Sequence, residues 1–141
     1  MLRGMDLNFL GSRARILAHA DEGAPLGVVD MLEVPPEHMP PLHVHHDHDE
    51  AFYMLDGTAT LHMPDAEITI HPGDYVLAPR CVPHTYRVGE EPARWLVISH
   101  PAGFERFVAE VAAADASDPA RLTAIAGRHG IEILGPPGDL P

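Results

Sequence analysis

The chain has no lysine, one cysteine and no apolar run near the length of a membrane span. Each absence removes a class of chemistry. Without lysine there is no Schiff-base or lysine-base catalysis, and every basic residue is an arginine. With Cys81 alone no intrachain disulfide can form, which fits a reducing compartment and leaves only an intermolecular bridge open. A spanning helix needs roughly 20 consecutive apolar residues, and the Met1 end lacks the basic, apolar and small-residue order of a signal peptide. The expectation is a soluble cytoplasmic protein without a membrane partner. Positive charge is also scarce. The formal net charge is -12, whereas phosphate binding needs clustered cations, so nucleic acid is not expected as a partner.

What the chain does have is histidine: eleven in 141 residues, concentrated between positions 38 and 71. His19, His38 and His129 read as solvated loop residues. The length suits one domain over residues 1–141, hiding roughly two thirds of the unfolded surface. A barrel core is expected over about 24–100 and a helical cap over about 102–130.

Proline and glycine punctuate the stretch from Pro25 to Pro101, with β-rich segments between them. Leu26–Glu33, Ala51–Leu55, Thr58–Met63, Glu67–Ile70, Tyr75–Ala78, Thr85–Val88 and Arg94–Ser99 read as strands, and Asp56-Gly57 as a hairpin turn. Phe9–Leu17 reads as an outer strand. Many short strands between turn signals imply a sandwich or barrel. After Pro101 the period changes. Phe104, Phe107, Val108 and Val111 share one helical face, and Ser117-Asp118-Pro119 caps a second helix carrying Leu122, Ile125 and Ala126, which Gly130 ends. Ile131–Leu134 adds a short extended piece.

The densest chemistry lies in His43-Val44-His45-His46-Asp47-His48-Asp49-Glu50. Alternation along a strand sends His43 and His45 to one face. Glu50 returns a carboxylate after the His46–Asp49 loop, and His84 must arrive from a distant strand. His46, Asp47, His48 and Asp49 read as solvated loop residues or partners of the ligands.

These residues resemble the two motifs of the cupins, which are double-sheet jelly rolls. His43, His45, Glu50 and Gly57 match the first motif; Gly73, Pro79 and His84 match the second. Glu37 and Cys81 stand where the motifs have glycine, and Val88 where the second has asparagine. None of the three is a ligand position. The segments Pro101–Phe107 and Gly130–Pro137 resemble the C-terminal extension of quercetin-dioxygenase-like single-domain cupins. The resemblance implies a mainly β cupin double-stranded β-helix, a jelly-roll barrel, with two short C-terminal helices. It also implies one divalent transition metal held by His43, His45, Glu50 and His84, and a homodimer.

Three imidazoles and one carboxylate suit Fe, Mn, Ni, Co or Zn. Glu50 can double as a general base. Parity sends Phe52 and Met54 inward after Glu50, as an apolar pocket wall or as plain barrel core, and Tyr86 after His84, where its hydroxyl needs a partner, so Tyr86 is the second candidate catalytic residue. His100 reads as a rim, core or surface residue, and Cys81 as a buried turn cysteine. The leading expectation is a metal-dependent, quercetin-dioxygenase-like oxygenase acting on an enolisable or hydroxylated aromatic small molecule. The alternatives are a metal-dependent polyketide cyclase or isomerase not using dioxygen, and a non-enzymatic small-molecule or metal-binding module.

Overall fold

The computed structural model describes residues 4–141. The chain opens with β1 (Leu7–Phe9) and β2 (Ser12–Ala18), an antiparallel hairpin rather than the single strand expected over Phe9–Leu17. The break falls at Leu10-Gly11, both with positive φ (52° and 85°), the signature of a tight hairpin turn whose twist matches the flanking strands. Then follow β3 (Gly27–Val34), β4 (Leu42–His45), β5 (Asp49–Asp56), β6 (Ala59–Met63), β7 (Ala66–Ile70), β8 (Tyr75–Ala78), β9 (Thr85–Val88) and β10 (Ala93–His100). Two helices, α1 (Phe104–Ala114) and α2 (Pro119–Arg128), precede a last strand, β11 (Ile131–Gly135).

One sheet has the order β1-β2-β3-β10-β5-β8. Facing it are the β7-β6-β9 sheet and the β11-β4 pair, which an antiparallel bridge between His43 and His84 joins into one layer. His43 N donates to His84 O at 3.2 Å, and His84 N to His43 O at 2.9 Å. The alternation in β10, buried at Ala93, Trp95, Val97 and Ser99, sends one face into the core, as period-two patterning requires. Trp95, Met54, Leu61 and Val29 fill the space between the layers. This is a β-sandwich of the jelly-roll kind, carrying two C-terminal helices.

The Asp56-Gly57 turn works as the sequence implies. Gly57 has φ 75°, and a Cβ there would stand 2.6 Å from Pro92 O, so both conformation and space call for glycine. Asp118 caps α2 by accepting from Arg121 N at 3.2 Å, with proline in the first turn. The short extended tail is a paired strand: β11 lies against β4, Ile131 opposite His45 and Ile133 opposite His43. α1 covers the N-terminal hairpin through Phe9, whose ring meets Phe104 and Phe107 edge-on at 6.0 and 5.7 Å. Among the described residues no helix is long and apolar enough to cross a membrane.

Candidate metal centre

Two layers deliver the four expected ligands. β4 carries His43 and His45 on one face, and β5 in the opposite sheet begins with Asp49 and Glu50. The His46–His48 loop takes the chain from one layer to the other. His84 reaches the same point through its bridge to His43. One ligand atom from each of His43, His45, Glu50 and His84 lies within 4.8 Å of all the others. His45 Nε2 is 2.6 Å from Glu50 Oε2, and His84 Nε2 is 3.3 Å from the same oxygen.

Whether these residues suit a divalent metal can be judged from the polar atoms that lack a protein partner. His45 Nε2, Glu50 Oε2 and His84 Nε2 are buried with no aligned hydrogen bond, three of only six such side-chain atoms among the described residues. A buried polar atom left unsatisfied costs about 1–3 kcal/mol, so three converging on one point mark a site built for something they bind together. The short distance from His45 to Glu50 lacks hydrogen-bond alignment, as expected when both lone pairs aim at a common centre. The donor set of three imidazoles and a carboxylate is right for a transition metal. The cluster can hold one.

The far side of each imidazole is anchored, which sets which nitrogen points inward. His43 Nδ1 donates to Pro41 O at 2.6 Å, and His84 Nδ1 to Val82 O at 3.3 Å, leaving both Nε2 atoms as acceptors or ligands. His45 Nδ1 meets His48 Nε2 at 2.8 Å. His48 is only 2% exposed, so of the two roles open to it in the sequence it takes that of ligand partner. His46 and Asp47 are exposed; His46 Nε2 pairs with Glu132 Oε1 at 3.0 Å. Asp49 holds Arg80, accepting from its backbone N at 2.9 Å. His100 is exposed at the end of β10.

Burial is the main reason that His43 and His48 stay neutral. Desolvation, followed by repulsion from His84 and His45, pushes His43 down to about 3. Desolvation and His45 push His48 down to about 4. For Glu50, desolvation acts upward, but the charges and contacts of His45 and His84 outweigh it and hold the carboxyl well below its usual range. That suits a ligand. It weakens a base, so the two roles expected of Glu50 make opposite demands on one group. Burial and the Glu50 charge push the Tyr86 phenol upward, and it stays protonated at neutral pH.

Beside the ligands lies a cavity of about 50 Å³, touched by His43, His45, Glu50 and Tyr86. Of the two roles open to Phe52 and Met54, core packing holds: both are buried and neither lines this cavity, the Phe52 ring standing 6.3 Å from both His84 and Tyr86. The wall is made by Phe9, Phe104, Phe107, Leu122 and Ile131, from the N-terminal hairpin, the two helices and β11. The helical cap therefore shapes the site directly.

Three sequence expectations need correction. His38 is half-buried rather than a solvated loop residue: it lines the cavity, its ring lies 6.2 Å from that of Tyr86, and burial lowers its pKa. The signal was its place between Pro36 and Pro40, which holds the loop against β9; Val88 N donates to His38 O at 3.0 Å. His19 and His129 are half-buried too: His19 Nδ1 accepts from Asp21 N at 3.0 Å, and His129 pairs with Glu110 at 3.0 Å. Cys81 is exposed, not buried. Its φ is 66°, and that of Glu37 is 62°, so both positions where the motifs carry glycine keep the left-handed backbone without the glycine. The turn geometry survives because Cys81 N donates to His45 O at 2.7 Å.

Comparison with known proteins agrees with this architecture. The family described as Cupin domain matches residues 30–99. Quercetin 2,3-dioxygenase of Bacillus subtilis is 34% identical over 65 residues, covering 46% of this chain but only 19% of that enzyme. Among solved structures, the polyketide cyclase RemF from Streptomyces resistomycificus aligns with a TM-score of 0.56 at 26% identity, covering 68% of this chain and 69% of that one. KdgF from Halomonas sp. aligns with a TM-score of 0.60 at 22% identity, covering 68% and 84%, a likeness of fold. Matched motifs, converging ligands and shared architecture place the chain in the cupin superfamily.

Proposed function

We propose that this chain is a metal-dependent oxygenase, similar in chemistry to quercetin 2,3-dioxygenase, acting on an enolisable or hydroxylated aromatic small molecule. The observation that carries the reading is the convergence of four ligand atoms within 4.8 Å, most of them buried and unsatisfied by protein. A divalent transition metal held by His43, His45, Glu50 and His84 would supply Lewis acidity toward a substrate enol or hydroxyl. His48 fixes the His45 ring by the bond to Nδ1. Glu50, a weak base while it serves as a ligand, would take the proton only from a substrate hydroxyl made acidic by the metal, and the protonated Tyr86 donates a hydrogen bond to the anion so formed. Phe9, Phe104 and Phe107 exclude water. The proposal extends to a cytoplasmic homodimer.

Elemental analysis of the purified protein, followed by oxygen-electrode measurements after loading with Fe, Mn, Ni or Co, tests this reading. Oxygen uptake with flavonols or diketones supports it. No uptake with any of the four metals refutes it, and a site filled only by redox-inactive zinc counts against it. A His84→Ala variant that keeps both fold and metal content would remove the basis of the site itself.

The structural likeness to a polyketide cyclase favours a second reading, a metal-assisted cyclase or isomerase using the same ligands without dioxygen. Turnover under anaerobic conditions separates the two.

A further inference from the structure

The cavity beside the ligands is too small for the substrates just proposed. About 50 Å³ holds a few water-sized atoms, whereas pockets that enclose a ring-bearing ligand run to roughly 300–1,000 Å³. A second chamber of about 690 Å³ adjoins it. The two share Leu10, His38, Pro40, Pro41, Leu122 and Ile133 as walls. The larger chamber lies between the N-terminal hairpin turn, the loop before β4, the start of α2 and β11. The two therefore lie on either side of these six residues, the inner one against the ligands.

We propose that this outer chamber binds the uncharged, apolar body of an elongated substrate whose reacting end enters the inner cavity beside His43, Glu50 and Tyr86. The proposal rests on the metal-site reading for the inner end only.

Size is the first argument, and charge is the second. No arginine lines either chamber, and the chain has no lysine. Among the described arginines, Arg13, Arg15, Arg80, Arg87, Arg94, Arg106 and Arg128 are paired with carboxylates. The only acidic side chain of the outer chamber is Asp115, which repels an anion. A sugar acid, an acyl phosphate or any substrate with a carboxylate tail would find no cation here, and desolvating an unpaired charge is costly. Neutral donors and acceptors at Asn8, Ser117 and Thr123 suit hydroxyl or carbonyl substituents instead.

Backbone strain supplies a third argument. Leu10, one of the shared walls, sits at φ 52°, a conformation that costs a branched side chain about 1–2 kcal/mol and that Asn or Gly adopts more readily. An apolar side chain is kept at the shared wall against that cost, as strain held at a functional site would require.

Calorimetric titration of the metal-free protein separates the outer chamber from metal chelation. Three probes vary length and charge: 1,3-diphenylpropane-1,3-dione, pentane-2,4-dione and benzoylpyruvate. The diphenyl diketone is expected to bind at least about tenfold more tightly than either of the others. Thr123 and Leu134 are exposed chamber residues, so their variants should fold. Thr123→Trp, filling the chamber, should weaken the diphenyl diketone by about tenfold or more. Leu134→Arg should strengthen benzoylpyruvate by a similar factor. Equal affinity for the long and short diketones, or indifference to Thr123→Trp, overturns the proposal. Oxygen measurements on the metal-loaded protein tell the two readings apart. Thr123-dependent binding without oxygen uptake keeps the chamber and removes the oxygenase. Uptake with the diphenyl diketone that Thr123→Trp leaves unchanged keeps the oxygenase and removes the chamber.

Discussion

Replacing Cys81 by glycine should stabilise the protein, although it deletes a side chain. Cys81 holds φ at 66°, where an L-residue with a Cβ is disfavoured by about 1–2 kcal/mol and glycine is not. The side chain gives little in return: it is exposed, and its hydrogen bond is a long one from the sulfur, 3.9 Å from His46 O. Against the gain stands the greater freedom of glycine in the unfolded chain, about 0.4–1 kcal/mol. At the middle of these ranges the net is a gain of about 0.8 kcal/mol, or roughly 2–3 °C in Tm for a chain of this size. Urea denaturation of the metal-free forms measures it without linkage to metal binding. Cys81→Ala is the control, since alanine keeps the strain and should stay within about 0.5 kcal/mol of the parent. The backbone N–H of residue 81, which donates to His45 O, is present in all three proteins. A Cys81→Gly protein no more stable than Cys81→Ala would refute the strain argument. Glu37→Gly, at φ 62° and holding only a 3.7 Å exposed ion pair with Arg87, should add a similar increment independently.

Truncating His48 to alanine should weaken metal binding about 10–100-fold, as loss of an imidazole's orienting partner typically does, and competition with a chelator measures it; unchanged affinity would remove His48 from the site. Stability of the metal-free protein should fall in acid. His43 and His48 titrate near 3 and 4 in the folded chain, below the ordinary value of about 6.5, so the unfolded chain takes up these protons first. Their stabilisation is complete above about pH 6.5 and is lost on descending toward 4, at up to about 1.4 kcal/mol per pH unit for each; a flat unfolding free energy between pH 7 and 4.5 contradicts this. The proposed homodimer has a surface to use in the exposed Tyr53, Leu55, Tyr75 and Leu77, which alternate outward on the paired strands β5 and β8. Tyr75→Glu should then lower the solution mass from twice the 15.3 kDa chain to one chain, and a monomeric parent would refute the dimer.

Local signals explain why so much of the fold was readable. Period-two alternation in β10, the Asp56-Gly57 turn and the Asp118-Pro119 cap each act within a few residues, so neighbouring side chains reveal them. The N-terminal hairpin was missed because Leu10 is an unusual residue for its turn position. The burial of His38 was missed because the contacts that press it inward come from β9, some fifty residues on. The wall of the cavity was not legible for the same reason: Phe104 and Phe107 show a helical face in sequence, and nothing local says that this face covers the metal-site cluster.

The sequence alone picked out the four residues that converge, since strand parity and the spacing of two short motifs are visible within a few residues of each. Tertiary structure decided what surrounds them. The pairing of β11 with β4 and the packing of α1 on the hairpin bring residues about a hundred positions apart into one wall. Contacts of that range follow from how two layers and a helical cap bury their apolar faces together, and no short window of sequence encodes that.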